Sequence, residues 1–428
     1  MKRRTFLGSL AAASSISGIA AADEPKAPGV DNVKLLSPPV IQNPGEDAFT
    51  VAWAVSGMAT GWVEWGTTPE LGKQSIPAHH GLMSMSEYAL SARIENLPTD
   101  TPIYYRTVTI PIHYKNAYAI ERGTPLVGKT RKLKLPTAEA SSCSLTMVND
   151  THDHADTLNA LAKRIEAINP DAHLWNGDAC NDFHNPQLMA RICLTPGQHK
   201  DQPEHGGWAS TRPLLFVPGN HDVRGRDART MPEALTPWPL NDDDPHRLAP
   251  TPLAMGRYCF AKRIGPVAII GLDTGEDKPD NRDVFGGMAA YEPYREAQRD
   301  WLLKVLQQNE IKNAPYLLAF CHIPLIGLEG ENDGTGDTGY ASYSGFGQQL
   351  WLKPLVDAGC QMLFSGHTHR HRIDKPSQAF PIYQVVGGGP KTKDARLIHI
   401  QADNKQLNVK VEDLNQTTVN AVTLKPRS

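Results

Sequence analysis

Short runs in which apolar and polar residues alternate predict β-strands from Val33 to about Leu135. In one such run Phe49, Val51 and Trp53 alternate with Thr50 and an alanine. Short alternating strands that are separated by turns are typical of a small antiparallel sandwich. We therefore predict an all-β domain over residues 30–136. The intervening turns are rich in Pro, Gly, Asn, Ser and Thr and lie at residues 37–39, 43–45 and 66–69.

After residue 142 the pattern changes to apolar strands, loops and amphipathic helices. Leu158, Leu161, Ile165 and Ile168 recur at helical spacing in a segment that ends at Asn169 and the following proline. A second helix is predicted over residues 297–306. This alternation, followed by a strand-rich end, predicts an α/β domain with mixed central sheets over residues 143–413. Its strands are predicted at 144–148, 172–175, 214–217, 258–263, 267–272, 317–321, 361–364, 382–386, 397–400 and 407–411.

The composition limits the class of protein. The chain has 428 residues, with 43 Lys and Arg against 46 Asp and Glu, and a net charge of -3. At about 150 residues per domain this length suggests two or three domains. Because binding to nucleic-acid phosphates depends on clustered Lys and Arg, the near-balanced charge argues against a protein that coats nucleic acid.

The first 22 residues have the order of a secretory signal. Lys2, Arg3 and Arg4 precede a weakly apolar stretch, and three alanines end at Ala22. The paired arginines resemble a twin-arginine signal. A single membrane anchor is the alternative, but no 18-residue run is strongly apolar. We therefore expect a periplasmic or secreted protein whose mature chain has no stable membrane span.

The six cysteines show no C-x-x-C spacing, so neither a zinc knot nor a redox motif is indicated. Several lie within apolar strand-like runs, which favours buried free thiols. Cys180 and Cys193 are close enough in sequence to close a small loop, and the sequence leaves open whether they do.

Metal-binding residue types follow the predicted strands. Carboxylate, amide and imidazole groups of this kind suit first-row metal ions. The segments are Asp150-Thr151-His152, Gly177-Asp178, Gly219-Asn220-His221-Asp222, His322 and Gly366-His367-Thr368-His369. The glycines before Asp178, Asn220 and His367 are expected to permit tight turns.

These five segments, in this order, resemble the motifs D-x-H, G-D, G-N-H-[DE], H and G-H-x-H of the calcineurin-like metallophosphoesterase superfamily. The region before them resembles the fibronectin type III-like domain of purple acid phosphatase-like proteins, through residues 62–66, 96–98 and 104–106. The resemblance implies a layered metallophosphoesterase sandwich preceded by a small β-sandwich. It also implies two metal ions, iron, manganese or zinc. Their ligands would be Asp150, His152, Asp178 and His369 for one ion, and Asp178, Asn220, His322 and His367 for the other.

The implied function is hydrolysis of a phosphate mono- or diester by attack of a metal-bound hydroxide. His221 would stabilise the transition state or protonate the leaving oxygen, and Asp222 would orient its imidazole. Specificity is expected to depend on the insertions at 226–256 and 325–347. Arginines beside the motifs are candidate phosphate contacts, although each could equally be solvated: Arg224, Arg226, Arg370 and Arg372.

The sequence departs from purple acid phosphatases at the metal site. Asn181 occupies the position of their tyrosine ligand, and His152 replaces a glycine, so no purple iron–tyrosinate site is expected. Asn181 also replaces the acidic residue of the commoner G-D-x-x-D motif. A catalytically silent, metal-containing protein that docks on a protein or polymer through its β-sandwich is the alternative function. The presence of His221, which no ligand set requires, argues against it.

Overall fold

The computed structural model describes residues 30–194, 208–239, 257–327 and 344–427. The predicted signal segment, residues 1–22, lies outside the described residues. Within the described part of the chain, no helix has the length and apolar character needed to cross a membrane.

The N-terminal region is built from strands, as its alternating pattern predicts. Its sheet of β3, β4, β7 and β9–β12 is antiparallel, and Trp53 and Tyr105 lie buried in its core. The all-β character is therefore confirmed, whereas the likeness to fibronectin type III domains stays a prediction. The strands are β1 (Val40–Gln42), β2 (Phe49–Ala54), β3 (Ala59–Gly66), β4 (Lys73–Ser75), β5 (Ala78–His79), β6 (Leu82–Met83), β7 (Met85–Ser86), β8 (Ala89–Ile94), β9 (Ile103–Asn116), β10 (Ala119–Arg122), β11 (Leu126–Val127) and β12 (Arg131–Leu133).

The α/β region, residues 142–424, contains two mixed sheets. One has the order β24-β23-β22-β13-β14-β15, and the other β16-β17-β18-β19-β21-β20. Strands β13, β14 and β15 run parallel, as do β17, β18, β19 and β21. Their bounds are β13 (Ser142–Val148), β14 (Ala172–Asn176), β15 (Leu214–Val217), β16 (Phe260–Ile264), β17 (Val267–Leu272), β18 (Tyr316–Cys321), β19 (Met362–Ser365), β20 (Arg372–Asp374), β21 (Tyr383–Val386), β22 (Leu397–Asp403), β23 (Leu407–Glu412) and β24 (Thr418–Leu424).

Helices cover the outer faces of these sheets. The first helix has the predicted buried face of Leu158, Leu161 and Ile165, and it ends where Asn169 adopts a left-handed conformation. The helices are α1 (Ala155–Ile168), α2 (Pro186–Leu194), α3 (Met231–Ala234), α4 (Tyr291–Val305), α5 (Asn309–Lys312), α6 (Gly345–Gly347) and α7 (Lys353–Asp357). A π-helical turn, Gln348–Leu352, joins α6 to α7, and 3₁₀ turns lie at Val30–Asn32, Ala228–Thr230 and Asp283–Phe285.

The two sheets of the α/β region pack face to face. Leu145 and Leu174 of one sheet share a buried cluster with Ile269 and Phe320 of the other. Helices α1 and α2 pack on the outer face of the first sheet, and α4 on that of the second. The predicted layered α/β sandwich with mixed sheets is confirmed.

The N-terminal region and the α/β region share a sheet and a core. Strand β1 pairs in parallel with β15, which extends the first α/β sheet through β1, β2 and β8. Buried Gln42 donates from Nε2 to the Ala234 carbonyl and accepts from the Thr236 N–H at 2.7 Å. The two regions are thus continuous in structure, which the sequence pattern did not indicate.

The α/β fold extends beyond the predicted end at residue 413. Strand β24 pairs antiparallel with β23 and forms the edge of the sheet. Its side chains are mostly exposed, although Val422 and Leu424 are partly buried against the core between the sheets.

Candidate metal centre

The candidate site lies where the parallel strands of both α/β sheets have their carboxyl ends. Loops at the carboxyl ends of such strands commonly form a ligand-binding crevice. The predicted residues follow these strands: Asp150 and His152 after β13, Asp178 after β14, Asn220, His221 and Asp222 after β15, His322 after β18, and His367 and His369 after β19.

Four of these side chains form a compact group. The ligand atoms of Asp150, His152, Asp178 and His369 all lie within 4.8 Å of one another. His152 Nε2 is 3.0 Å from His369 Nε2 and 3.3 Å from Asp178 Oδ2. Ligand atoms that each lie about 2.0–2.2 Å from one cation are separated from one another by distances of this size. The structure thus brings together the set that the family resemblance assigns to one metal ion.

A second group meets the first at Asp178. His322 Nε2 lies 3.2 Å from the same Asp178 oxygen, Oδ2, that faces His152. His367 Nδ1 lies 2.9 Å from Asn220 Oδ1, and the rings of His322 and His367 are 5.6 Å apart. Asp178 is therefore positioned between the two groups.

One buried nitrogen indicates that these residues fit a metal ion. His322 Nδ1 donates to the Asn176 carbonyl oxygen at 2.9 Å, because a carbonyl can only accept. Its Nε2 is buried, makes no hydrogen bond within the described residues, and faces the Asp178 carboxylate at 3.2 Å. A buried polar atom that lacks a hydrogen bond costs free energy. Imidazole nitrogens fixed in this way, together with carboxylate oxygens, are suitable donors for divalent metals.

Backbone strain is concentrated at the same residues. The φ angles of Asp150, His152, Asp178, His367 and His369 are 49°, 42°, 51°, 71° and 55°. Left-handed conformations are uncommon for residues other than glycine, cost about 1–3 kcal/mol each and cluster at functional sites. The surrounding packing holds these five side chains in position at the expense of local stability.

The glycines before the ligands act in two different ways. Gly177 has a φ of 79°, so it provides the expected turn before Asp178. Gly219 and Gly366 do not have positive φ angles, yet each begins a turn, because its carbonyl accepts from the N–H of Asp222 or Thr368 respectively. Lack of a side chain also matters there, since a Cβ atom at Gly219 would collide with Asp178, and one at Gly366 would collide with Asp150.

Two asparagines that sequence reasoning missed help to build the site. Buried Asn149 donates to the Asp150 carboxylate and, at 3.1 Å, to the Gly388 carbonyl. Buried Asn176 donates from Nδ2 to the carbonyls of Cys321 and Phe364, at 3.0 and 3.3 Å. The position of each asparagine directly after or at the end of an apolar strand was the available signal.

The charges in the site shift the pKa values of its histidines. Burial alone would lower the pKa of His152, but hydrogen bonds with Asp150 and Asp178 raise it to about 10. Burial opposes and the two carboxylates raise the pKa of His322, to about 9. Burial and the neighbouring His322 instead lower the pKa of His367 to about 4. Without metal, His152 and His322 therefore hold the protons that a metal ion has to displace.

His221 lies beside the ligands and is oriented by the backbone. Its Nδ1 donates to the Asn181 carbonyl oxygen at 2.5 Å, and its ring contacts that of His152 with centroids 4.7 Å apart. The Asp182 carboxylate is 3.6 Å from Nδ1. A quarter of the His221 side chain is exposed, and its Nε2 lies 3.4 Å from Arg224 Nη1.

The prediction that Asp222 orients the His221 ring is wrong, because the Asp222 carboxylate is bonded to backbone N–H groups instead. The buried Asp222 carboxylate accepts hydrogen bonds from the backbone N–H groups of Ala179, Cys180 and Gly219, at 3.0, 3.1 and 2.8 Å. Burial and the nearby Asp178 carboxylate raise the pKa of Asp222 to about 7. Asp222 thus ties the loop after β14 to the loop after β15, and it positions Asp178 rather than the His221 ring.

A family model for calcineurin-like phosphoesterases matches residues 144–371. The chain belongs to this family. It is accordingly a metallophosphoesterase, a hydrolase that acts on phosphoric esters. No curated protein sequence matches the chain at a significant level.

Two solved structures share the fold of this phosphoesterase at low sequence identity. A purple acid phosphatase, PPD1 from yellow lupin (Lupinus luteus), is 14% identical with a TM-score of 0.60, over 90% of this chain and 74% of that one. The structure of PhoD is 10% identical with a TM-score of 0.56, over 95% of this chain and 90% of that one. At these identities the likeness shows the fold alone.

The four candidate arginines of the phosphoesterase have different surroundings. Arg224 forms a two-pronged ion pair with buried Glu276, and its Nη1 lies 3.4 Å from His221 Nε2. Arg226 is 84% exposed, and Arg372 pairs with Asp374. Of these, Arg224 is the one placed beside His221. Arg370 is exposed, and parts of the two insertions expected to set specificity, residues 240–256 and 328–343, lie outside the described residues.

Proposed function

We propose that this phosphoesterase is an exported, dinuclear enzyme that hydrolyses a phosphate mono- or diester. The observation that carries the dinuclear proposal is the position of Asp178 Oδ2, at 3.3 Å from His152 Nε2 and 3.2 Å from His322 Nε2. One carboxylate oxygen thereby faces ligands of both groups. Asp150, His152 and His369 would hold one ion, and Asn220, His322 and His367 the other, with Asp178 shared.

Bound metal ions would supply positive charge that polarises phosphoryl oxygens and lowers the pKa of water. Iron, manganese or zinc all suit this donor set. Asp150 and Asp178 are fully buried, so their charges are kept close to any bound cation and away from solvent. The exposed side of the crevice, at His221 and His369, is where a substrate can enter.

We propose that His221 acts on the leaving group. Because Nδ1 carries the hydrogen that is donated to Asn181, Nε2 is the atom that can gain or release a proton toward the crevice. A proton released from Nε2 would neutralise the departing alkoxide oxygen. Arg224, held by Glu276 beside that nitrogen, adds a fixed positive charge where a phosphoryl oxygen would lie.

A metal and substrate test separates the proposal from the silent binding protein. Purified protein is analysed for bound metal and assayed against activated aryl phosphate monoesters and diesters. Two metal equivalents with turnover support the proposal, and one equivalent with turnover rejects the dinuclear part. Bound metal without any hydrolysis favours the binding protein. The substrate class that is turned over then decides between a monoester, a diester and more complex esters.

Export is supported by the order of residues in the N-terminal segment, with Arg3 and Arg4 before an apolar stretch. Fractionation of cells that express the full chain and an Arg3→Lys/Arg4→Lys variant tests it. The wild-type protein is expected outside the cytoplasm and the variant within it. Equal distribution of the two would reject twin-arginine export. Docking of a protein or polymer through the N-terminal region also stays a prediction.

A further inference from the structure

We infer that Cys180 and Cys193 form a disulfide bond that ties the Asp178 loop to helix α2. The Sγ atoms of the two residues lie 3.6 Å apart, in contact across the core. The residues are 13 positions apart in sequence, with Cys180 in the loop after β14 and Cys193 on α2. Both thiols are free in this structure, as the apolar runs favoured, and the fold brings the two sulfurs into contact.

The surroundings of the pair favour a bond over reactive thiols. Both side chains are buried, at 2% and 0% exposure, among apolar neighbours that include Phe183 and Met189. A disulfide has a sulfur–sulfur distance of about 2.05 Å, so the sulfurs have to approach by about 1.5 Å. Both sulfurs already belong to one packed cluster and are in contact, so no other group lies between them.

The bond would stabilise the segment that builds the metal centre. The segment carries Asp178, the Ala179 and Cys180 N–H groups that hold Asp222, and the Asn181 carbonyl that accepts from His221. A link from Cys180 to Cys193 anchors this segment to α2. By restricting the unfolded chain, closure of a loop of this length typically raises stability.

The reaction needs a disulfide oxidant, which an oxidising compartment provides. One thiolate attacks the oxidant's disulfide and releases a thiol, and the second cysteine sulfur then displaces the remaining half of the oxidant. Two S–H bonds are lost and one S–S bond forms. The two electrons and two protons pass to the oxidant, which becomes two thiols. Burial raises the pKa of both cysteine thiols, so oxidation of the folded protein is expected to be slow.

In the cell the inference rests on the export part of the proposed function. In the test tube it does not, because the oxidant is supplied. Full-length protein is incubated with oxidised glutathione, remaining thiols are alkylated, and the chain is digested with trypsin without reduction. Cleavage after Arg191 separates the two cysteines, so a bond appears in mass spectra as two linked peptides. We expect Cys180 linked to Cys193, and Cys143, Cys259, Cys321 and Cys360 alkylated.

Alkylation of all six cysteines after prolonged incubation would overturn the inference, as would a link between other cysteines. These outcomes are independent of catalysis, so they cannot be confused with failure of the phosphoesterase proposal.

A second measurement uses the thermal midpoint of unfolding. Reduction of the oxidised wild-type protein is expected to lower Tm by about 5 °C and to accelerate metal loss to a chelator. The Cys180→Ala and Cys193→Ala variants should show no response to reductant. Cys143→Ala, which removes a buried thiol on β13, is the matched control and should respond like wild type. A wild-type Tm that is the same in oxidised and reduced protein would contradict the stabilising role.

Discussion

The Nδ1 atom of His221 lies 2.5 Å from the main-chain carbonyl oxygen of Asn181. Asn181 occupies the position at which related motifs have an acidic side chain, yet here the backbone accepts the hydrogen bond. The Asn181 N–H in turn donates to Asp153 Oδ1 at 3.1 Å, which fixes the peptide on the other side. A neutral carbonyl is therefore the nearest group that orients the imidazole, and the Asp182 carboxylate lies farther from Nδ1, at 3.6 Å.

This relationship predicts different effects at two neighbouring positions. His221→Ala should lower kcat by about 10²–10⁴, because the proton donor at the leaving oxygen is lost. Asn181→Ala keeps the carbonyl and should retain kcat within about threefold. Steady-state hydrolysis of an aryl phosphate by both variants checks this. A loss in Asn181→Ala as large as in His221→Ala would show that the asparagine side chain, rather than its carbonyl, matters.

Metal binding should become tighter as the pH rises. The pKa values of about 10 for His152 and about 9 for His322 mean that both imidazoles are protonated at pH 7 in the metal-free protein. For each proton that the metal displaces, the apparent affinity rises about tenfold with every unit of pH increase, as long as the pH is below the pKa of that imidazole. Competition titrations at pH 6, 7 and 8 measure the slope, and His152→Gln should reduce it by about one proton. Affinity that is independent of pH would contradict the assignment of these histidines as ligands.

Arg224 and Arg226 provide a matched pair for testing phosphate binding. Arg224 is held next to His221 by Glu276, whereas Arg226 projects into solvent. Arg224→Gln should raise KM or lower kcat/KM by at least about tenfold, because a positioned guanidinium is lost. Arg226→Gln should remain within about twofold of wild type. Equal effects of the two substitutions would remove Arg224 from the proposed substrate site.

The junction between the N-terminal and α/β regions should contribute to global stability. Gln42→Ala removes a buried amide and leaves the Ala234 carbonyl and the Thr236 N–H without their partner. An unpaired buried group costs about 1–3 kcal/mol, so the free energy of unfolding should fall by that order. Urea unfolding of the Gln42→Ala variant measures this loss. The control is Gln74→Ala, which removes an exposed glutamine side chain. An unchanged midpoint for Gln42→Ala would indicate that the two regions unfold independently.

The metal-site residues were predictable because each follows a strand whose apolar pattern is clear. Asp150, Asp178 and His322 come directly after or within two residues of β13, β14 and β18. The partners that position them were not predictable in the same way. Glu276, for example, pairs with Arg224 across 52 positions, and only folding brings the two residues together.

The same limit applies to the overall architecture. The strands of the N-terminal region and the strands and helices of the α/β region were recognisable from their periodicity. The pairing of β1 with β15 was not, because it joins residues as distant in sequence as Gln42 and Leu214. Strand β24 is mostly exposed, and it joins the sheet by antiparallel pairing with β23, which only the fold reveals. Asp222 was assigned to His221 because the two residues are adjacent, whereas its carboxylate points to the backbone of the neighbouring loop.

The most direct test of a shared metal centre is to replace its central carboxylate. Asp178→Asn is purified and compared with wild type and with Asp357→Asn, which changes an exposed aspartate in a surface ion pair. Metal content and hydrolysis of an aryl phosphate monoester and diester are measured on folded protein. Asp178→Asn should lose bound metal and lose turnover by several orders of magnitude, while Asp357→Asn should match wild type. Undiminished hydrolysis by folded Asp178→Asn would contradict catalysis at a metal centre built on Asp178.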